Sequence, residues 1–572
     1  MTDPYRTLIP APRHAAASAG SFRLDSGTGL HVAVGPSNET DLAQLVRRSL
    51  APLGLRLEAS AGPRGAVSVR TSDADGGAVP GGYTIAVRED GVEIVGAGPD
   101  GVRNALQTLR QLLGPDAWRA APIPGRALEL PCGTVSDAPA VSWRGGMLDV
   151  ARHFLPKRVV LKYVDLLAMH RMNRLHLHLT DDQGWRVESR RHPEINRLST
   201  HRDQTLVGYL HADGDYDGTP HGGYYTLDDL AEISAYAAER GIVLVPEIDI
   251  PGHASALMAA LPDVGTGTAG VRSRWGVASG VLKPVPRVVA LVTELIDEVL
   301  GAVDTPYVHL GGDECVTAGW ADDPEVVAHM RTLGIAGPGR LHGWFLREVA
   351  DRLAERGKRA VVWDEAFQNG GIRQDTIVMC WRGDALARAA AAAGHDIVRS
   401  PVFPTYLDYA QSAQESEPLS IGGPTTLANC ASFEVSPPDW TAEERDRVLG
   451  GQFHAWTEYI PDERHLDYML FPRACAIADA LWAGHAVDAA DLERRLGAAH
   501  LARLAAAGCE YRPLEGPLPW QRGGRGRRAP SAESERWSET RWRAWSAELP
   551  ASGEARPSER APQHRADSAV HH

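Results

Sequence analysis

Short β-rich runs open the chain at GLHVAVG (29–35), AVSVRT (66–71), YTIAVRED (83–90) and GVEIVGAG (91–98), and helical spacing of apolar residues accompanies them over 40–53 and 100–113. This mixture predicts a small α/β domain over residues 1–135. No polar constellation in it suggests chemistry, so its expected role is support.

From about residue 140 the pattern becomes strand, loop, helix, repeated. Apolar runs at 143–150, 174–180, 242–250, 307–314, 360–365, 376–381, 396–401 and 452–458 predict eight strands, with helical periodicity over 155–171, 228–241, 285–300 and 341–358. Eight such units over 136–520 predict a (β/α)8 TIM barrel, an α/β fold preceded by the small domain. Active sites in this architecture lie at the C-terminal ends of the strands. Those ends carry Asp149 to His153 with Arg152, Asp181 and Asp182, Glu247 to His253, Asp313 and Glu314, Trp363 to Glu365, Trp381, Tyr406 to Asp408, and Trp456 to Glu458. Carboxylates, indoles and one arginine are the palette of a sugar site.

Composition narrows the class. With 572 residues, 43% hydrophobic and 23% charged, the chain has ample material for a large core and is neither disordered throughout nor a coiled coil. A formal charge of −14 argues against nucleic acid and anionic membrane as partners. The six cysteines are widely spaced with no CxxC pair, which predicts free thiols. No apolar h-region follows the first residues and no run approaches a membrane span, so the expected location is cytoplasmic. After Trp520 the composition turns to Gly, Pro, Ser and mixed charge, predicting a disordered tail over 521–572 apart from a short Trp537, Trp542, Trp545 cluster. Docking of the tail through those tryptophans is the alternative.

HLGGDEC (309–315) sets two carboxylates side by side at the end of the fourth strand. Ordinary glycoside hydrolysis flanks the scissile bond with two carboxyls, whereas neighbours in a strand point to opposite faces. Asp313 and Glu314 should therefore do different jobs. In LHLHLTDDQGW (175–185), His176 and His178 share a strand face, which allows a zinc amidohydrolase as a rival. The structural alternative is two histidines packed and hydrogen-bonded inside the barrel, with Asp181 the better functional candidate as a hydroxyl acceptor. VPEIDIPGH (245–253) supplies Asp249 and His253, a pair that could tune a nearby acid. VVWDE (361–365) and AWTE (455–458) each bring a tryptophan and an acid to a strand end.

These segments, together with WRGGMLDVARHF, GGQFHAWTEYI and FPRACAIADALW, resemble the family 20 glycoside hydrolases, β-N-acetylhexosaminidases, nearly to Trp520. The resemblance implies a retaining exo-enzyme that releases terminal β-linked N-acetylglucosamine or N-acetylgalactosamine from a small or oligosaccharide substrate. It implies substrate-assisted catalysis through an oxazolinium ion, without metal or cofactor. Glu314 would be the general acid/base, Asp313 the residue orienting the 2-acetamido group, and Tyr406 the support of its carbonyl oxygen. Arg152, Asp181, Asp408 and Glu458 would contact the sugar, Trp363, Trp456 and Trp344 would wall the acetamide, and Asp249 and His253 would tune Glu314. Phe453 and His454 stand where the family resemblance leads one to expect smaller or amide residues, and the tail from Gln521 has no counterpart. A catalytically inactive carbohydrate-binding barrel is the non-enzymatic rival.

Overall fold

The computed structural model describes residues 3–33, 39–72, 79–210, 215–267, 270–522 and 539–547. The small domain is a seven-stranded mixed sheet in the order His14–Leu24, Leu128–Asp137, Tyr83–Arg88, Gly91–Ala97, Ala66–Ser72, Gly29–Val32, Glu58–Ala59. Its helix Gly98–Leu112 buries Val102, Leu106 and Leu109. The edge strand His14–Leu24 and its neighbour Leu128–Asp137 were not expected. In His14–Leu24 the first eight side chains are exposed and mostly small, so no apolar alternation marks the strand.

Eight parallel strands close the expected barrel: β1 (Trp143–Asp149), β2 (Arg174–His178), β3 (Val243–Glu247), β4 (Tyr307–His309), β5 (Arg359–Trp363), β6 (Ile377–Cys380), β7 (Ile397–Arg399) and β8 (Val448–Ala455). Each pairs in parallel with its sequence neighbours, and β8 returns to β1. Helices such as Lys157–Met169 and Pro338–Glu355 cover the outside. Enclosure on both faces explains why β1 is buried at every position.

The barrel interior is polar at one level. The buried Glu247 carboxylate receives Nε2 of His176 (2.9 Å), Nδ1 of His178 and the Trp363 indole N–H (3.0 Å). The His176/His178 pair thus matches the structural alternative, two histidines serving a buried carboxylate.

Among the described residues no helix is long and apolar enough to cross a membrane, and all six cysteines are free. Within the stretch read as a disordered tail, Glu539–Ala547 instead forms a helix against the barrel, with Trp542 only 3% exposed. Burial of an indole supplies the drive that composition alone does not reveal. Residues 523–538 and 548–572, including Trp537, lie outside the described residues.

Candidate active site

At the C-terminal mouth of the barrel one pocket is lined by Arg152, Tyr209, Leu210, His253, Trp275, Asp313, Glu314, Trp381, Tyr406, Asp408, Trp456 and Glu458, among others. The acidic pair reaches it by leaving the strand. β4 ends at His309, and Gly311 (φ +64°), Gly312 (φ +95°) and Glu314 (φ +49°) are all left-handed. A side chain at Gly311 would place its Cβ 1.7 Å from Asp249 Oδ1, so only glycine fits. The alternation of an extended strand therefore does not apply, and Asp313 and Glu314 line the same pocket.

His253, itself at φ +49°, joins them: its Nε2 lies 3.4 Å from Glu314 Oε2 and 3.7 Å from Asp313 Oδ2. Two non-glycine residues in a sparsely populated backbone region meet here, a pattern concentrated at functional sites. The other imidazole nitrogen, Nδ1, lies 3.1 Å from Asp181 Oδ1. Asp181 is also held by Arg152 Nη2 (2.7 Å) and His178 Nε2 (3.0 Å). Burial opposes both charges, but the Arg152, His253 and His178 partners hold Asp181 well below the usual carboxylate range. The Asp181 and Asp313 carboxylates likewise outweigh burial and hold His253 well above an ordinary histidine.

This corrects one expected role and refines another. Asp181 is 1% exposed and absent from the pocket lining, so it stands behind His253 instead of facing a sugar hydroxyl. Asp249 makes no hydrogen bond to His253. It accepts from the Gly312 backbone N–H (3.2 Å) and props the turn, while burial and the charge of Asp313 push its carboxyl well above the usual range.

Arg152, 8% exposed, spans Asp181 and Asp149 and lies 4.9 Å from the centre of the Trp456 ring. Asp408 Oδ1 and Asp313 Oδ1 are buried acceptors with no protein donor. Burial and the neighbouring Glu458 push Asp408 well above the carboxylate range. Glu458 is also raised, chiefly by burial, against the lowering effect of Arg152.

The aromatic walls are Trp381, Tyr406 and Trp456. Tyr406 stacks between Trp381 (6.4 Å, 20°) and His454 (4.7 Å, 22°), and Trp456 lies 6.1 Å from it. His454, the departure noted in QFHAWTE, thus backs Tyr406. Trp363 lies beneath this level, 1% exposed, 6.1 Å from Trp456 and bonded to Glu247. Trp344 is not at the site: it belongs to the outer helix Pro338–Glu355 and packs on His329 at 4.6 Å. The helical periodicity around it already placed it there. Trp381, which ends the sixth predicted strand, fills the third wall. Tyr209, Trp275 and Tyr459 at the mouth were not anticipated, because two of the three come from long loops without periodic signal.

The models of glycosyl hydrolase family 20 match residues 141–485 (catalytic domain) and 5–138 (domain 2). A beta-hexosaminidase of Porphyromonas gingivalis is 33% identical over 525 residues, covering 90% of this chain and 65% of its own length. The chain thus spans just under two thirds of that relative. Among solved structures, a family 20 exo beta-N-acetylglucosaminidase of Vibrio harveyi in complex with N-acetylglucosamine has a TM-score of 0.75 at 29% identity, over 89% of this chain and 78% of that one. A beta-N-acetylhexosaminidase of Streptomyces coelicolor has a TM-score of 0.75 at 27% identity, over 90% and 99%.

Proposed function

The chain belongs to glycosyl hydrolase family 20, and on that premise we propose that it is a retaining exo-β-N-acetylhexosaminidase whose nucleophile is the substrate's own acetamide. The observation that carries this is the shared origin of the two acids. Asp313 and Glu314 rise from one turn and meet one imidazole nitrogen, so they approach the pocket from the same side. A retaining pair in the ordinary scheme flanks the bond with one acid and one nucleophile, and family 20 enzymes are among the substrate-assisted exceptions.

The chemistry follows from positions. Glu314 protonates the glycosidic oxygen as the bond to the anomeric carbon breaks. The acetamido oxygen attacks that carbon from the opposite face and closes an oxazolinium ring. Asp313 accepts the N–H whose positive charge grows, and Tyr406 donates to the oxygen that attacks. Water, deprotonated by Glu314, then opens the ring with overall retention. Trp381, Tyr406 and Trp456 enclose the acetamide, while Arg152, Asp408 and Glu458 address the sugar hydroxyls. Binding of N-acetylglucosamine by the Vibrio harveyi neighbour supports an N-acetylated sugar as the ligand class.

The test is hydrolysis of p-nitrophenyl N-acetyl-β-glucosaminide beside the matching glucoside. The expected result is turnover of the first only, with the β anomer seen first by NMR and a loss of about 10²–10⁴-fold in Glu314→Gln on a substrate whose leaving group needs protonation. Comparable rates on the glucoside would overturn substrate assistance. An unimpaired Glu314→Gln would overturn the assignment of the acid.

A further inference from the structure

Trp381 is a pocket wall held from outside the pocket. Its backbone N–H donates to Asp364 Oδ2 (3.1 Å), and its indole N–H donates to Glu365 Oε2 (2.8 Å). On the pocket side it neighbours Tyr406. Its remaining aromatic neighbour is Trp542, with ring centres 5.6 Å apart at 38°.

Trp542 belongs to the helix Glu539–Ala547, beyond the last residue matched by either family model. It is buried but is not among the residues lining the pocket, so it supports the wall without forming it. The helix is tied down beside Trp381. Ser546 Oγ would lie 2.8 Å from a Cβ at Gly383, two residues after Trp381, and Asn429 Nδ2 donates to Glu539 Oε2 (3.5 Å). Trp545 extends the aromatic stack, 5.1 Å from Trp542. A nine-residue helix is too short to persist alone, so its order depends on this docking.

We propose that Trp542 is a positioning residue for the reaction: docked on Trp381, it holds the wall that closes on the acyl group of the 2-amido sugar. This rests on the reading of the Trp381–Tyr406–Trp456 pocket as the acetamide site. A wall freed from its backing closes less tightly on a small acyl group and tolerates a larger one better.

The test compares full-length wild type, Trp542→Ala, Trp542→Phe and Trp381→Ala on p-nitrophenyl glycosides bearing N-acetyl or N-butyryl groups. In Trp542→Ala, KM for the N-acetyl substrate should rise roughly 3- to 10-fold, the range one aromatic contact supports. The preference for N-acetyl over N-butyryl should narrow, and Trp542→Phe should recover most of both. A chain ending at Arg522 should behave as Trp542→Ala does, which keeps the test open if that variant folds poorly. Unchanged KM and acyl preference in Trp542→Ala and in the shortened chain would overturn the proposal. So would a loss of kcat that merely follows the folded fraction. If Trp381→Ala abolishes acyl preference while the Trp542 variants keep it, the pocket reading stands and this inference fails. If Trp381→Ala leaves acyl preference intact, both fail.

Discussion

Asp313 is a carboxylate in a place that disfavours its charge. Burial and the adjacent Glu314 push it up to about 6, against the opposing pull of His253. Its proposed work is to accept an N–H and balance positive charge, which only the ionised form does. As pH falls through 6 the fraction of Asp313 carrying a proton grows, so activity should be present above that value and lost below it. The expected kcat/KM profile therefore has an acidic limb near pH 6 approaching a tenfold drop per unit. In Asp313→Asn that limb should disappear, with kcat lowered by about 10²–10³-fold at the plateau. A limb that survives the substitution would assign it to another carboxyl. The same residue scale shows where sequence reading stopped. Acid, imidazole and carboxylate were all recognisable from their motifs, but which aspartate stands behind His253 was not. Asp249 is four residues away from it and Asp181 seventy-two, and the barrel brings the distant one within 3.1 Å. Sequence spacing carries no information about pairing across strands.

The turn after β4 is the element on which the site depends. Gly311 lies so close to the Asp249 carboxylate that Gly311→Ala must displace either the turn or the aspartate. A shift of about 1 Å at reacting groups costs on the order of 10²-fold in rate, so kcat should fall by that order while far-UV circular dichroism keeps the barrel signature. Wild-type turnover in Gly311→Ala would show that the turn is compliant. Elements of this kind divide what was legible from what was not. Each of the eight barrel strands overlaps the run that predicted it, because a strand buried on both faces carries apolar residues on both, although the fourth ends at His309, short of 314, and the eighth begins at Val448, before 452. The turns that aim the side chains are set by left-handed residues and by close approaches of distant backbone, which leave no periodic trace. Trp344 and Trp381 illustrate the difference. Each is a tryptophan among apolar residues, yet one lies in the outer helix and the other directly follows a barrel strand at the mouth.

At the scale of the whole molecule, the two domains meet on one buried charge. Asp137, the last residue of the small domain's strand Leu128–Asp137, accepts through Oδ2 from Arg171 Nη1 (2.9 Å), the Tyr83 hydroxyl (3.0 Å) and the Trp482 indole N–H (3.0 Å). Arg171 and Trp482 belong to the barrel, and the Asp137 and Arg171 side chains are both fully buried. Around them Gln111 of the small domain bonds Ile9 and Met169 O, and Arg503 and Arg495 bond Thr7 O and Leu8 O. A joint knit by buried polar bonds should not open separately from the cores it connects, so the domains should unfold together. Removing one partner of a buried ion pair strands the other, at a cost of about 3–5 kcal/mol, whereas replacing both with neutral groups of similar size is far less costly. Asp137→Asn should therefore lower the unfolding midpoint sharply, with loss of activity, tryptophan fluorescence and far-UV signal coinciding. The pair Asp137→Asn with Arg171→Met should recover a large part of the lost stability. A small domain that melts first, leaving hydrolysis intact, would show that it is only an appendage; coincident loss makes it the base on which the barrel, and the pocket at its far mouth, is held.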